Sequence, residues 1–82
     1  MTAYLLIQKR HDAGPVAGAI RAHRGIALAE DLTGPFDAIA LAEADSSRDL
    51  FERLVPGIRD IPGVTQVLPA PLGHARVAGV AA

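Results

Sequence analysis

The apolar positions of this chain change their spacing from one segment to the next, which predicts strands that alternate with helices. The run 3–9 is short, apolar and ended by charge, a pattern that favours a strand. A polar turn follows at 11–15, where Pro15 is suited to the first position of a helix because a proline lacks the amide donor that would be unpaired there. Apolar residues at helical spacing then predict a helix that ends at Gly25.

The middle of the chain predicts a β-hairpin. Two apolar runs, 26–33 and 36–43, have the length and composition of strands. The pair Gly34-Pro35 between them is strong turn punctuation. We therefore expect a short, tight connection between these two strands.

A second helix and a last strand complete the predicted elements. Ser46 is suited to cap a helix whose apolar stripe extends over 50–61. Within that stripe, Pro56-Gly57 is expected to kink the helix or divide it into two pieces, because proline removes a backbone donor. The run 64–68 then predicts a fourth strand.

The element order βαββαβ predicts an α+β, ferredoxin-like fold. Right-handed crossovers place both helices on one face of a four-stranded antiparallel sheet. The first and third strands are expected at the centre because they are the most apolar, and Pro69 and Pro71 suit an edge position for the last strand. The domain is predicted to span residues 1–74, with a C-terminal tail at 75–82.

Alternation within the strands predicts that both faces of the sheet are apolar. In the third strand, Ile39 and Leu41 point to one face. Ala38, Ala40 and Ala42 point to the other. Two helices on one side can cover only one face, and monomers seldom leave a large apolar patch exposed. The second face is therefore expected to pack on another copy, as a dimeric α/β sandwich or barrel.

Composition excludes several classes of protein. The 82 residues include 8 Lys+Arg and 9 Asp+Glu, a net charge of -1 that argues against a basic nucleic-acid-binding module. No apolar run reaches the roughly 20 residues of a membrane span, and the start carries no basic segment typical of a signal peptide. The chain has no cysteine, hence no disulfide framework or thiolate metal site. A cytoplasmic domain is expected.

The residues that could carry catalysis show no catalytic pattern. His11, His23 and His74 lie in a turn, at a helix end and in the tail, without the spacing of metal ligands. Glu30 and Asp31 are adjacent on a strand, so their carboxylates face opposite sides and cannot share a proton. Glycine-rich phosphate loops are absent from the sequence. We therefore predict no catalytic residue, no metal site and no cofactor.

The hairpin offers the best candidate for a binding site. Thr33 and Asp37 flank Gly34 at the turn. Their polar groups can simply satisfy backbone donors of the turn. Alternatively, Asp37 and backbone groups grip the amino group of a zwitterion, while amides exposed by the glycine receive its carboxylate.

The sequence resembles a known family of ligand-binding domains. The segments 3–7, 33–37 with the apolar run 38–41, and 61–64 are similar to the effector-binding domain of the leucine-responsive regulator and AsnC (Lrp/AsnC) transcription factors, also called the regulation-of-amino-acid-metabolism (RAM) domain. The resemblance covers about residues 3–72.

The resemblance implies a function in metabolite sensing. Such domains dimerise through their sheets, often form octameric rings, and bind amino acids or related metabolites between dimers near the hairpin. This maps the ligand site onto Thr33, Gly34 and Asp37. The chain resembles the stand-alone versions without a helix-turn-helix, so we expect it to bind no DNA unaided and to modulate a full-length regulator by mixed assembly.

Two other functions fit the same fold. A small enzyme of the dimeric α+β-barrel kind, such as a monooxygenase or isomerase, would hold His11 or His23 in a deep pocket between helices and sheet. A purely structural scaffold would form an assembled ring with no polar pocket at Gly34.

Overall fold

The computed structural model describes residues 1–72, so the predicted tail at 75–82, the boundary at 74 and His74 lie outside the described residues. The elements in chain order are β1 (Thr2–Lys9), α1 (Ala17–Arg21), β2 (Ile26–Asp31), β3 (Ala38–Glu43), α2 (47–59) and β4 (Val64–Pro71). This order confirms the predicted α+β, ferredoxin-like fold. Within residues 1–72, no helix is long and apolar enough to cross a membrane.

The sheet is antiparallel throughout, with the strand order β2-β3-β1-β4. The predicted central positions of β1 and β3 and the edge position of β4 are confirmed. β4 continues through both of its prolines to Pro71, farther than predicted. The Leu72 amide donates to the Thr2 carbonyl of β1 at 2.9 Å. Because backbone groups of successive residues point to opposite sides of a strand, Pro69 and Pro71 direct their nitrogens away from β1, to the outer edge of the sheet. At that edge the missing N–H of a proline breaks no hydrogen bond of the sheet, and it hinders pairing with a further strand.

The core lies between the helices and one face of the sheet. Ile20 of α1 and Leu50, Leu54 and Ile58 of α2 are fully buried, as are Leu5 and Ile7 of β1. The sheet also contributes five fully buried alanines: Ala3, Ala29, Ala38, Ala40 and Ala42. These alanines let the helices approach the strands closely, so most of the large core side chains come from the helical layer.

Helix α1 is shorter than predicted, because an aspartate on β2 determines where it begins. Asp31 Oδ1 accepts hydrogen bonds from the amides of Val16 and Ala17, at 3.1 and 3.2 Å. These amides have no partner within the helix, and a distant carboxylate satisfies them as a capping side chain would. Pro15 therefore precedes the helix, which covers only Ala17–Arg21.

Helix α2 is continuous, and the predicted kink at Pro56 is replaced by a wider helical turn. The α-helical residues Ser47–Asp49 lead into a π-helical segment, Leu50–Leu54, and α-helix resumes over Val55–Arg59. The Val55 amide donates to the carbonyl five residues earlier. In a regular α-helix the Pro56 ring would clash with the carbonyl of the residue four positions before it. We attribute the wide turn to relief of that clash.

An aspartate–arginine pair joins the start of α2 to the turn after α1. Ser46 Oγ accepts from the Asp49 amide at 3.0 Å, which confirms the predicted cap. The Asp49 carboxylate binds Arg53 in a bidentate pair, Oδ1 to Nε at 2.6 Å and Oδ2 to Nη2 at 2.8 Å. Nη1 of the same guanidinium donates to the Arg24 carbonyl at 3.2 Å. One arginine thus links helix α2 to a distant turn.

The turn before β2 requires a glycine. Gly25 has a φ of +98°, and a Cβ there would lie 3.0 Å from the Glu43 carbonyl oxygen. The Gly25 carbonyl accepts from the Glu43 amide, so this close approach is part of the β2–β3 pairing. The backbone here has no room for a side chain.

We expect Gly25→Ala to lower the free energy of unfolding by about 1–3 kcal/mol, through left-handed strain and contact with the Glu43 carbonyl. Gly18→Ala is the matched control, because Gly18 lies in α1 with nothing within 4 Å of its missing Cβ. Gly18→Ala should raise the free energy of unfolding by about 1 kcal/mol, because alanine has a higher helix propensity than glycine. Urea denaturation of both variants measures the difference, and equal effects would contradict this account of Gly25.

The Asp49–Arg53 pair should make stability depend on pH in the acid range. The hydrogen bond from Arg53 holds the pKa of Asp49 at about 2, below its ordinary value of 3.8. A lowered pKa in the folded state contributes stability above pH 3.8 that is lost as the pH falls towards 2.

The difference in unfolding free energy between the wild type and Asp49→Asn should therefore be constant near neutral pH and disappear near pH 2. Glu52→Gln is the control, because the exposed Arg48–Glu52 pair should contribute little at any pH. Chemical denaturation across the pH range measures both differences. An Asp49→Asn difference that did not change with pH would contradict the prediction.

Candidate functional site

The predicted site residues lie on one loop at an end of the sheet. This loop, residues 32–37, connects β2 to β3 beside the end of β1 and the start of β4. The Leu32 amide donates to the Asp37 carbonyl at 2.8 Å and closes the hairpin. The loop is longer than the tight connection that Gly34-Pro35 predicted. Gly34 has a φ of +117° and nothing within 4 Å of the position of a Cβ, so its backbone is accessible at the tip.

Asp37 is tied to the neighbouring strand by its backbone and by its side chain. Its amide donates to the Ile7 carbonyl at 2.8 Å. Its carboxylate Oδ2 accepts from the Lys9 amide, also at 2.8 Å. The β1–β3 pairing ends at Ile7 and Ala38, so the carboxylate supplies the acceptor that a further residue of β3 would have supplied. Oδ1 accepts no hydrogen bond from any residue in 1–72.

Thr33 and Gly34 are more exposed than Asp37. Both are solvent-exposed, and the Thr33 hydroxyl makes no hydrogen bond to the described part of the chain. The structure thus brings the three predicted residues onto one loop, with Asp37 half-buried at its base. Their binding of a ligand stays a prediction.

Two residues at the end of β1 belong to the same site and were not predicted from the sequence. Gln8 Nε2 donates to the Pro35 carbonyl at 3.1 Å and supports the hairpin. Lys9 Nζ donates to the Ala13 carbonyl at 2.8 Å, which orders the loop after β1. Both residues could have been identified only from the pairing of β1 with β3, because this register places the end of β1 next to the base of the hairpin.

The histidines and acidic residues form no catalytic cluster within the described range 1–72. His11 is exposed. His23 is half-buried, with its ring 3.3 Å from where a Cβ on Gly57 would lie, so it packs against helix α2. Among these residues, no group of three His, Asp or Glu side chains could hold a metal ion.

The face of the sheet opposite the helices is not covered by any part of residues 1–72, and we call it the open face. Residues paired in antiparallel strands project to the same side, and the register forms two rows across the middle of this face. These rows comprise Leu28, Leu41, Tyr4 and Ala70 in one and Glu30, Ile39, Leu6 and Leu68 in the next, and they are bordered by the polar pairs Thr2–Glu43 and Gln8–Gln66. Tyr4, Leu28 and Leu68 are 40%, 43% and 38% exposed. The predicted apolar character of this second face is confirmed.

Comparison with known proteins identifies structures that share this fold. No protein-family model and no curated protein matches the chain. TTHA0845 from Thermus thermophilus is 28% identical with a TM-score of 0.71, and the match covers 89% of this chain and 95% of that chain. Hypothetical protein PHS023 from Pyrococcus horikoshii is 27% identical with a TM-score of 0.69, over 89% of this chain and 92% of that chain.

A third structure also has this fold. FFRP-DM1 is 23% identical with a TM-score of 0.72, and the match covers 83% of this chain and 92% of that chain. At this identity the likeness concerns the fold alone.

Proposed function

We propose that this protein is a non-enzymatic, homo-oligomeric domain that senses a small metabolite, an amino acid in the first instance. Assembly through the open face would build the oligomer, and the hairpin 32–37 would bind the ligand at an interface between dimers. The observation that carries the proposal is the open face, because a domain of this size gains stability by covering apolar surface.

The distribution of side-chain size across β3 supports self-association. Its helix-facing residues are alanines, whereas its larger residues, Ile39 and Leu41, lie on the open face. Leu6 of β1 is paired with both Ile39 and Leu68, so large apolar side chains are continuous across three strands. A second copy presents the same apolar surface and can bury it symmetrically.

The hairpin supports the ligand part of the proposal. Asp37 is held in position by the Lys9 amide through Oδ2, while Oδ1 is available to an ammonium group. The space around Gly34 at the tip is open, so its backbone amide would be accessible to a carboxylate. The two features together match the charges of a zwitterion.

Ligand binding would be coupled to assembly. A ligand held by residues of two dimers stabilises the state in which both dimers are present. A further partner is a full-length regulator of the Lrp/AsnC type, whose ligand-binding domain would present a similar sheet face for mixed assembly. In that role the domain would act on transcription without contacting DNA.

Replacing an apolar residue of the open face by a charged one should abolish self-association. Tyr4→Glu puts a carboxylate on the central strand β1, next to Leu41, where burial without a partner is unfavourable. Phe51→Glu is the matched control, because Phe51 is 44% exposed but belongs to helix α2 in the other layer. Sedimentation velocity should show a monomer for Tyr4→Glu and the wild-type assembly for Phe51→Glu. Identical behaviour of the two variants would contradict assembly through the open face.

A ligand that binds at the hairpin should lose its effect when Asp37 loses its charge. The wild type is screened against a panel of amino acids by thermal shift and by sedimentation, and at least one should raise the melting temperature or the oligomer size. In Asp37→Asn the amide oxygen can still accept from the Lys9 amide, so folding and assembly should persist while the ligand response disappears.

Two controls make this experiment decisive. Asp12→Asn removes an exposed loop carboxylate that pairs with Arg10, and its ligand response should equal that of the wild type. Asp37→Ala also removes the acceptor for the Lys9 amide and should lower the free energy of unfolding by about 1–3 kcal/mol. If no amino acid changes the melting temperature or the oligomer size of the wild type, amino-acid sensing is contradicted.

A further inference from the structure

One charged residue lies within the apolar rows of the open face. Glu30 is paired with Ile39 of β3, and its neighbour on the same side of β2 is Leu28. Leu28 is 43% exposed. A partner that covers Leu28 and Ile39 would also remove water from the Glu30 carboxylate beside them.

No cation of the described chain compensates this carboxylate. Glu30 makes no hydrogen bond or ion pair within residues 1–72, and the register places no lysine or arginine of that range on the open face. The other carboxylate on this face, Glu43 at the rim, accepts from the Thr2 hydroxyl at 2.9 Å. Glu30 therefore differs from Glu43 in having no hydrogen-bond partner among residues 1–72 and in being paired with the apolar Ile39.

The elements packed against β2 are β3 and α1, and their charged groups are directed elsewhere. Arg21 of α1 donates through Nε to the Ala29 carbonyl at 3.1 Å, at the outer edge of the strand. Asp31 accepts from the first amides of α1. Asp37, diagonal to Glu30 at the start of β3, accepts from the Lys9 amide. A second copy placed face to face adds the same set of groups, so residues 1–72 of that copy bring further carboxylates to this face and no lysine or arginine.

We propose that covering of the open face by a second copy is coupled to proton uptake at Glu30, so that the assembly tightens as the pH falls. The inference rests on the proposed self-association through that face. Burial disfavours the charged form of a carboxylate, so the assembled state binds protons that the separated state releases. Association then strengthens on acidification and weakens as the pH rises, and two equivalent glutamates contribute in a symmetric dimer.

The test is sedimentation equilibrium of the wild type, Glu30→Gln and Glu52→Gln between about pH 7.5 and about pH 4.5, the latter near the ordinary titration range of a glutamate. For the wild type, the dimer dissociation constant should fall by about 10- to 100-fold on acidification. Glu30→Gln should bind tightly at both pH values, because its side chain carries no charge. Glu52→Gln, altered on helix α2, should follow the wild type. Far-UV circular dichroism at each pH confirms that the fold persists.

The outcomes separate this inference from the proposed function. A wild-type dimer whose dissociation constant is independent of pH would overturn the coupling and leave self-association standing. An equal dependence on pH in the wild type and Glu30→Gln would also overturn it, because another group would then be responsible. If all three proteins stay monomeric at both pH values, self-association through the open face fails together with the coupling.

Discussion

The structure depends on one constraint: a single four-stranded sheet has two apolar faces, and the described chain has helices for only one of them. The helical layer supplies most of the large side chains of the core, and on the covered face β3 contributes only alanines. The larger residues of β3, Ile39 and Leu41, are left on the other side. A small domain buries a smaller fraction of its surface than a large one, so apolar surface that stays exposed matters more to its stability. The proposed self-association would therefore be linked to folding, because it would use the same strands as the core.

A second theme is the use of aspartates as acceptors for backbone amides that secondary structure leaves unpaired. Asp31 serves the start of α1, and Asp37 serves the Lys9 amide where the ladder ends. Asp49 accepts from the Asp45 amide at 3.4 Å and from the Arg53 guanidinium. These contacts give short elements defined ends. They also mean that the candidate ligand carboxylate, Asp37, has a structural function in addition to any binding function.

The comparison with known structures concerns the fold of this chain, whereas its function has to be inferred from the candidate site. Structures 23–28% identical to this chain share its fold. Folds of this class accommodate many functions, so the function of this chain has to be argued from its own groups. The relevant groups are the open face, Glu30 within it, and the Asp37 carboxylate beside an exposed Gly34. All of them lie on or at the end of one sheet.

The sequence alone determined the element order, the two apolar faces, the Ser46 cap and the edge position of β4. Each of these follows from local periodicity or from the chemistry of a few adjacent residues, such as the prolines of β4. Only the tertiary structure decided where α1 begins, how α2 passes Pro56, and what Asp37 contacts. These features depend on groups far apart in the chain or on the geometry of a whole helical turn. The three predicted site residues lie within five positions of one another in the sequence, so a local pattern could predict them together. The hydrogen bond from the Lys9 amide to Asp37 arises from strand pairing, which no local pattern shows.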